Sequence, residues 1–346
     1  MKKNILQDDL DYILQQTSSI WDELRDKRIF ITGATGFIGC WLLETFAWAS
    51  DKLNLNLSVT ALTRNIDNFA IKAPHLVHHP VFKFHVGDVK NFSFPEEKFS
   101  HIIHGATDAS KHLNDTNPML MLDTILEGTR QTLKLAQHSH AKKFLLLSSG
   151  AVYGKQPADL SHLCENYRCA PEILQPSSAY AVGKFAAEHM SLLHAKQHGT
   201  EIKIARCFAF IGPYLPIDIH FAIGNFIRDG LRGDPIDINS DGSSFRSYQY
   251  AADLVIWLLH ILCLGQSCVP YNVGSDEDIS ILQLAKAVAK NFATPPEINV
   301  KHPTQPNTKP ERYVPSVQRA QQDLNLKNNI TLETAIQKTI QWHQSI

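Results

Sequence analysis

The chain has 346 residues, 44% of them hydrophobic and 19% charged, and a formal net charge of −1. This composition supports a packed core, excludes a disordered chain, and argues against broad nucleic-acid binding. No run approaches the roughly 18 apolar residues of a membrane span, and Met1-Lys2-Lys3, followed closely by Asp8, Asp9 and Asp11, does not read as a signal peptide, so a cytoplasmic location is expected.

From residue 4 to 26, apolar side chains recur at helical spacing (Ile5, Leu6, Leu10, Ile13, Leu14, then Ile20, Trp21 and Leu24), which predicts a helical extension over 1–26. Arg28 to Thr32 reads as a buried strand that ends at Gly33-Ala34-Thr35-Gly36-Phe37-Ile38-Gly39, whose glycines open a helix that Cys40 to Phe46 continue. Glycines between a strand and a helix let the backbone approach a pyrophosphate, and the helix start offers free amides to it. Gly33, Thr35, Gly36, Phe37, Ile38 and Gly39 are therefore candidate dinucleotide contacts.

A second strand, Leu57 to Leu62, ends at Thr63-Arg64-Asn65 with no acid before Asp67. An acid at this place suits the ribose hydroxyl of NAD, whereas an arginine suits the 2′-phosphate of NADP. Arg64 thus favours NADP(H), with NAD(H) left open. A third strand, Phe82 to Val86, is followed by Gly87-Asp88-Val89: Asp88 is placed to accept from an adenine amino group and Val89 to cover the ring. The fourth strand, His101 to His104, runs into Gly105-Ala106-Thr107, small residues that leave room for a cofactor.

A long helix is predicted from Met119 to Gln137. A fifth strand, Phe144 to Leu147, ends at Ser148-Ser149, and a helix carrying Tyr180 and Lys184 runs to about Gln197. Residues four apart share a helix face, so the Lys184 ammonium is expected to lower the pKa of the Tyr180 phenol and let it exchange a proton near neutral pH. Lys184 is also placed to hold the nicotinamide ribose, and Ser149 to donate to the reacting oxygen. A sixth strand spans Ile202 to Arg206, after which the alternation of strands and helices breaks at Gly212-Pro213. Leu254 to Leu264 reads as a buried helix, and Pro295-Pro296 and Pro303 to Pro315 as loops.

This alternation predicts an α/β fold with a doubly wound parallel Rossmann sheet. The expected division is a helical extension over 1–26, a dinucleotide-binding domain over 27–206 with a returning segment near 246–262, and a smaller C-terminal α/β substrate lobe over 207–346. The six cysteines contain no CxxC, and neither they nor the 17 scattered histidines show metal-ligand spacing, so free thiols and no metal are expected.

The glycine loop, Asp88, His104 to Thr107, Ser149 with Val152-Tyr153-Gly154, the Tyr180–Lys184 pair, Gly212-Pro213 and Arg246 to Asp253 together resemble the extended short-chain dehydrogenase/reductases that act on nucleotide sugars. The resemblance covers nearly everything from about residue 27. It implies Ser149, Tyr180 and Lys184 as the catalytic set, a nucleoside-diphosphate sugar in the C-terminal lobe, Arg246 as a diphosphate ligand, and a homodimer through a helical bundle near 119–137.

Departures from the family pattern narrow the reaction. The family's 4,6-dehydratases carry Asp-Glu after the catalytic hydroxyl, and its decarboxylases carry a glutamate there, but this chain has Gly150-Ala151. The family's NxxGT asparagine is missing from Ile125 to Thr129, and Ala209 stands where another asparagine is usual. Asn225 is the candidate to replace the latter contact. The leading expectation is a 4-ketoreductase acting on a nucleotide-linked 4-keto-6-deoxy sugar for polysaccharide biosynthesis. A nucleotide-sugar 4-epimerase with retained NAD is second, and a non-catalytic NADP-binding protein third.

Overall fold

Ile29, Phe30 and Ile31 are all buried, the pattern of a parallel strand covered by helices on both faces. In the computed structural model, which describes residues 5–107, 111–219, 221–303 and 309–345, that strand is an interior member of a seven-stranded sheet. Helices α1 (Gln7–Gln16) and α2 (Trp21–Leu24) precede strand β1 (Arg28–Thr32). Then come α3 (Phe37–Leu53), β2 (Ser58–Thr63), α4 (Ile66–Lys72), α5 (Pro74–Val77), β3 (Phe82–Val86), β4 (His101–His104), α6 (Lys111–Thr116), α7 (Pro118–Ser139), β5 (Lys143–Ser149), α8 (Ala179–His198) and β6 (Glu201–Cys207).

The remaining elements are β7 (Phe210–Ile211), α9 (Ala222–Arg232), β8 (Ile236–Ile238), β9 (Phe245–Ser247), β10 (Gln249–Tyr250), α10 (Ala251–Leu264), β11 (Pro270–Val273), β12 (Asp278–Ser280), α11 (Ile281–Ala289), β13 (Ile298–Val300), β14 (Arg312–Tyr313), α12 (Gln318–Leu324) and α13 (Leu332–Ser345).

The large sheet runs β11-β6-β5-β4-β1-β2-β3, with every pairing parallel. This is the doubly wound Rossmann arrangement expected from the sequence. The strand order reverses between β1 and β4, and in such sheets ligands bind in the crevice beyond the carboxyl ends of the strands at that point. The glycine loop after β1 and Gly105 to Thr107 after β4 both open there. The lobe holds smaller sheets: β12-β9-β14, the pair β13-β8 and the pair β10-β7.

The segment near 246–262 returns to the main sheet as helix α10, packed on β5, β6 and β11, and β11 beyond it adds a strand to that sheet. Of the expected loop from Pro303 to Pro315, residues 304–308 lie outside the described residues, and Arg312–Tyr313 forms a strand paired with β9. The N-terminal extension is part of the main core: Leu6, Leu10, Ile13, Trp21 and Leu24 are all buried in it. Buried polar contacts fasten it further. The Tyr12 hydroxyl donates to Asp253 Oδ1 at 2.8 Å, and the Tyr250 hydroxyl to Asp9 Oδ2 at 2.6 Å.

Candidate active site

At the cofactor end, Gly33 has φ +75°, and a Cβ there would lie 2.6 Å from the Gly105 carbonyl carbon. Only glycine allows β1 and β4 to approach this closely while the chain turns left-handed. A Cβ on Gly39 would stand 2.3 Å from the carbonyl oxygens of Gly33 and Ala34, so α3 meets its own loop without a side chain between them. Helix α3 starts at Phe37 inside the glycine segment, with Gly36 as its cap residue. Thr35, Phe37 and Ile38 therefore sit at the loop and first turn, where amides face an anion.

Val89 is buried, and packing against it leaves Gly128 of α7 no room for a side chain, since a Cβ there would be 3.1 Å from Val89 Cγ1. Asp88 is half-buried, and its Oδ1 accepts from the Lys90 amide at 2.9 Å, closing a local turn. Thr107 Oγ1 is buried without a hydrogen-bond partner among the described residues, beside the crevice between β1 and β4. A site with one unpaired buried donor and two glycine-lined close approaches fits a bound dinucleotide. Arg64 is exposed just beyond β2.

His104 sits beneath the crevice. Its Nδ1 lies 2.7 Å from Thr32 Oγ1 and its Nε2 lies 3.1 Å from Thr129 Oγ1. Burial, and then the Lys184 ammonium, push its pKa down to about 3. It is a neutral structural link between β1, β4 and α7.

The catalytic candidates converge at the end of β5. Ser149 is its last residue and is buried; Lys184 is buried on α8, and Tyr180 is half-buried one turn earlier. Helix α8 is drawn close to α7 because Gly183 leaves no room for a Cβ, which would lie 2.9 Å from Ile125 Cδ1. Asn114 of α6 fixes the helix start: its Oδ1 accepts from the Tyr180 amide at 3.1 Å and its Nδ2 donates to the Ser177 carbonyl at 2.7 Å. The Ser149 hydroxyl accepts from the Ala151 amide at 3.2 Å and lies within hydrogen-bonding reach of the Tyr180 phenol.

The expected lowering of Tyr180 by Lys184 is not what the structure holds. Burial pushes the Tyr180 phenol up to about 12, opposed by the Ser149 hydrogen bond and reinforced by the Cys207 thiol. Lys184 Nζ donates to the Leu147 carbonyl at 2.9 Å and lies 5.9 Å from the Tyr180 ring centre, while burial pushes its own pKa down to about 8. Desolvation is the dominant influence here, and the Tyr180 phenol is held in its protonated form.

Two groups in and beneath the site carried no local sequence signal. Tyr313, on β14, stacks on Phe208 with ring centres 4.7 Å apart, and its hydroxyl lies within hydrogen-bonding reach of Ser149. A Cβ on Gly150 would lie 2.6 Å from Phe208 Cζ and 2.7 Å from the Tyr313 hydroxyl. The space beside Ser149 is thus filled by aromatic side chains. Underneath, Ser148 Oγ donates to Glu188 Oε1 at 2.5 Å, and Arg206 grips the same carboxylate. The Tyr153 hydroxyl accepts from Arg206 Nη1 at 2.9 Å and donates to Asn272 Oδ1 at 2.8 Å.

In the lobe, Arg246 on β9 stands in register with Tyr313, and its Nη1 donates to the Phe245 carbonyl at 2.7 Å. The Asn225 Oδ1, on α9, accepts from Arg228 Nη1 at 3.1 Å. No hydrogen bond among the described residues joins Asn225 to Arg246 or Ser149. No group of three or more His, Cys, Asp or Glu among them could hold a metal, and none of the six cysteines is in a disulfide. No helix among the described residues is long and apolar enough to cross a membrane.

Comparison with known proteins accords with this geometry. UDP-glucuronic acid decarboxylase 1 of Xenopus tropicalis is 29% identical over 317 residues, covering 91% of this chain and 72% of that protein. Among solved structures, UDP-glucuronic acid 4-epimerase of Bacillus cereus, in complex with UDP-glucuronic acid and NAD, superposes with a TM-score of 0.78 at 21% identity, over 92% of this chain and 99% of that one. UDP-glucose 4-epimerase of Thermotoga maritima, with UDP-glucose, gives a TM-score of 0.75 at 20% identity, again over 92% of this chain and 99% of that one. These two likenesses speak to the fold. The preference for NADP read from Arg64 finds no support in the comparisons. Residues 29–274 match the profile described as the NAD dependent epimerase/dehydratase family, and the chain belongs to that family.

Proposed function

We propose that the chain transfers hydride at C4 of a nucleoside-diphosphate sugar, with net reduction of a 4-keto-6-deoxy sugar as its reaction. The observation that carries this reading is the composition of the site around Ser149. Ser149 and Tyr180 supply hydroxyls, while Gly150 and Ala151 supply no acid or base, and Glu188 is committed to Arg206 and Ser148. Elimination of water and loss of carbon dioxide both need a further proton-transferring group, and none stands beside Ser149 among the described residues.

The cofactor, when bound, supplies or accepts the hydride. Gly33 to Gly39 and Gly105 to Thr107 would hold it across the sheet edge, with Lys184 near its ribose. The chain's own part is the proton: Tyr180, kept protonated by burial, gives its hydrogen to the C4 oxygen as the ketone becomes an alcohol, and Ser149 donates a hydrogen bond to the same oxygen. A phenol held in its acid form suits reduction. Arg246, in register with Tyr313 on the paired strand, would meet the diphosphate. NAD(H) is the cofactor the family description favours, and Arg64 makes NADPH the alternative to be assayed beside it.

The second reading is 4-epimerisation with retained NAD, which the description of the matched family, NAD dependent epimerase/dehydratase, supports. Purified protein is to be mixed with NADH or NADPH and with UDP-, TDP-, GDP- and CDP-linked 4-keto-6-deoxy sugars, following loss of the reduced nicotinamide. Oxidation with one of them is expected. No oxidation with any, together with NAD released on denaturation and interconversion of C4 epimers, would replace the first reading with the second. Lack of both activities, with unchanged biological activity of a Tyr180→Phe variant, would favour a binding role.

We carry the homodimer in the same reading. Met119 on α7 and Phe185 and Leu193 on α8 are 64%, 45% and 47% exposed, a mostly unburied apolar set on two helices packed together. Light scattering at micromolar concentration tests it. A cytoplasmic setting and a product destined for polysaccharide biosynthesis complete the proposal.

A further inference from the structure

Tyr313 enters the site from a part of the chain that the proposed reaction has not used. It sits on β14, in parallel register with Arg246, and its ring packs on Phe208. Backbone pairing and ring stacking therefore both fix where its hydroxyl lies. That hydroxyl occupies the place a side chain at Gly150 would take, next to Ser149, and Ser149 opposes by hydrogen bonding the rise that burial gives both the Tyr313 and the Tyr180 phenols.

A count of donors and acceptors gives the pair a direction. A serine hydroxyl has one hydrogen and two lone pairs. The Ala151 amide takes one lone pair of Ser149 Oγ at 3.2 Å. The Tyr313 phenol is pushed above its usual range by burial and stays protonated, so it has a hydrogen to give. If that hydrogen takes the second lone pair, the only hydrogen of Ser149 is left for the reacting oxygen. Without it, Ser149 is free to turn its hydrogen toward Tyr313 instead.

We propose that Tyr313 is a positioning residue: it donates to Ser149 Oγ and so aims the one Ser149 hydrogen at the C4 oxygen, on the side of the Tyr180 hydroxyl. The assignment rests on the C4 hydride-transfer reading for its kinetic consequence and on the site geometry for the contact itself. It also gives Gly150 a reason to be glycine, since any side chain there displaces the phenol.

The test is a double-variant cycle with Tyr313→Phe and Ser149→Ala, read in two ways. In kinetics, Tyr313→Phe lowers kcat about tenfold in the native background, on the scale of one lost hydrogen bond, with KM for the nicotinamide cofactor unchanged. In the Ser149→Ala background the same change costs less than about twofold, because Tyr313 then has no hydroxyl to act through. Equal tenfold losses in both backgrounds overturn the proposal, as does an unchanged kcat in the single variant. In urea unfolding, the shift in midpoint for the double variant differs from the sum of the two single shifts; strict additivity overturns the contact. Should no nucleotide sugar be turned over, the reaction reading fails by itself, and the unfolding cycle still decides the Ser149–Tyr313 pair.

Discussion

The Arg206 guanidinium grips both oxygens of Glu188, with Nη2 at 2.7 Å from Oε2 and Nε at 3.0 Å from Oε1. The carboxylate also accepts from Ser148, so the charged pair is tied to β5 one residue before Ser149. Removing one partner of a buried ion pair leaves the other charge uncompensated, at a cost of about 3–5 kcal/mol. Glu188→Ala should therefore destabilise the fold by that order in urea unfolding, with a parallel loss of turnover. A change below about 1 kcal/mol would show that the pair is not what holds this end of β5.

Tyr180→Phe keeps the ring and removes the proton. General acid catalysis contributes about 10²–10⁴-fold, so kcat should fall by that range while dinucleotide binding, followed by nicotinamide fluorescence, stays within about twofold. A fall under tenfold would assign the proton to another group.

The crevice is more easily destroyed than the fold. At Gly39 a methyl would meet the Gly33 and Ala34 carbonyl oxygens at 2.3 Å, and neither is the end of a flexible side chain. Gly39→Ala should cost about 1–3 kcal/mol through overpacking and weaken dinucleotide binding at least tenfold. Calorimetric titration with NAD and NADP checks this. Unaltered affinity would move the dinucleotide site away from the loop.

The glycine loop and the Tyr180–Lys184 pair were legible because each is a local pattern: a strand-to-helix turn and one helical turn. Local spacing brings no information about desolvation, so the pairing of Lys184 with Tyr180 does not by itself give the direction of the phenol's shift. The spacing places the ammonium on the right face, but burial of the phenol dominates. Tyr313 was illegible for a different reason. It reaches Ser149 only through the pairing of β14 with β9, and a two-residue strand in a proline-flanked segment has no periodicity to read. The N-terminal helix was visible from its spacing, whereas its place in the main core depends on α3 and α10, which form its seat.

His104 makes stability depend on acid. Its pKa is held at about 3 in the fold, against 6.5 ordinarily, first by burial and then by Lys184. Between these values the unfolded chain binds a proton that the folded chain refuses. The contribution is thus complete above about pH 6.5 and is lost progressively as pH falls toward 3, by on the order of 5 kcal/mol in all. His104→Gln should flatten that part of the stability curve in urea unfolding at stepped pH. A slope unchanged by the substitution would place the acid sensitivity elsewhere.

Gly150 and Ala151 differ in what they can accept, and this separates the packing of the site from its chemistry. At Gly150 even a methyl would press on Phe208 and on the Tyr313 hydroxyl, whereas Ala151 is only half-buried. Gly150→Ala should lower stability by about 1–3 kcal/mol and reduce kcat, because it moves the phenol beside Ser149. Ala151→Glu should leave the unfolding midpoint nearly unchanged, since a partly exposed position lets a carboxylate reach water. It should also fail to install a new reaction. A catalytic acid needs the substrate held within hydrogen-bond reach as well as the right group, and the aromatic wall of Phe208 and Tyr313 was not shaped around one. Mass analysis of products from UDP-glucuronic acid and from nucleotide hexoses would detect carbon dioxide loss or dehydration in the Ala151→Glu variant. Either product would mean that the missing carboxylate alone had separated this chain from the decarboxylases and dehydratases of its family.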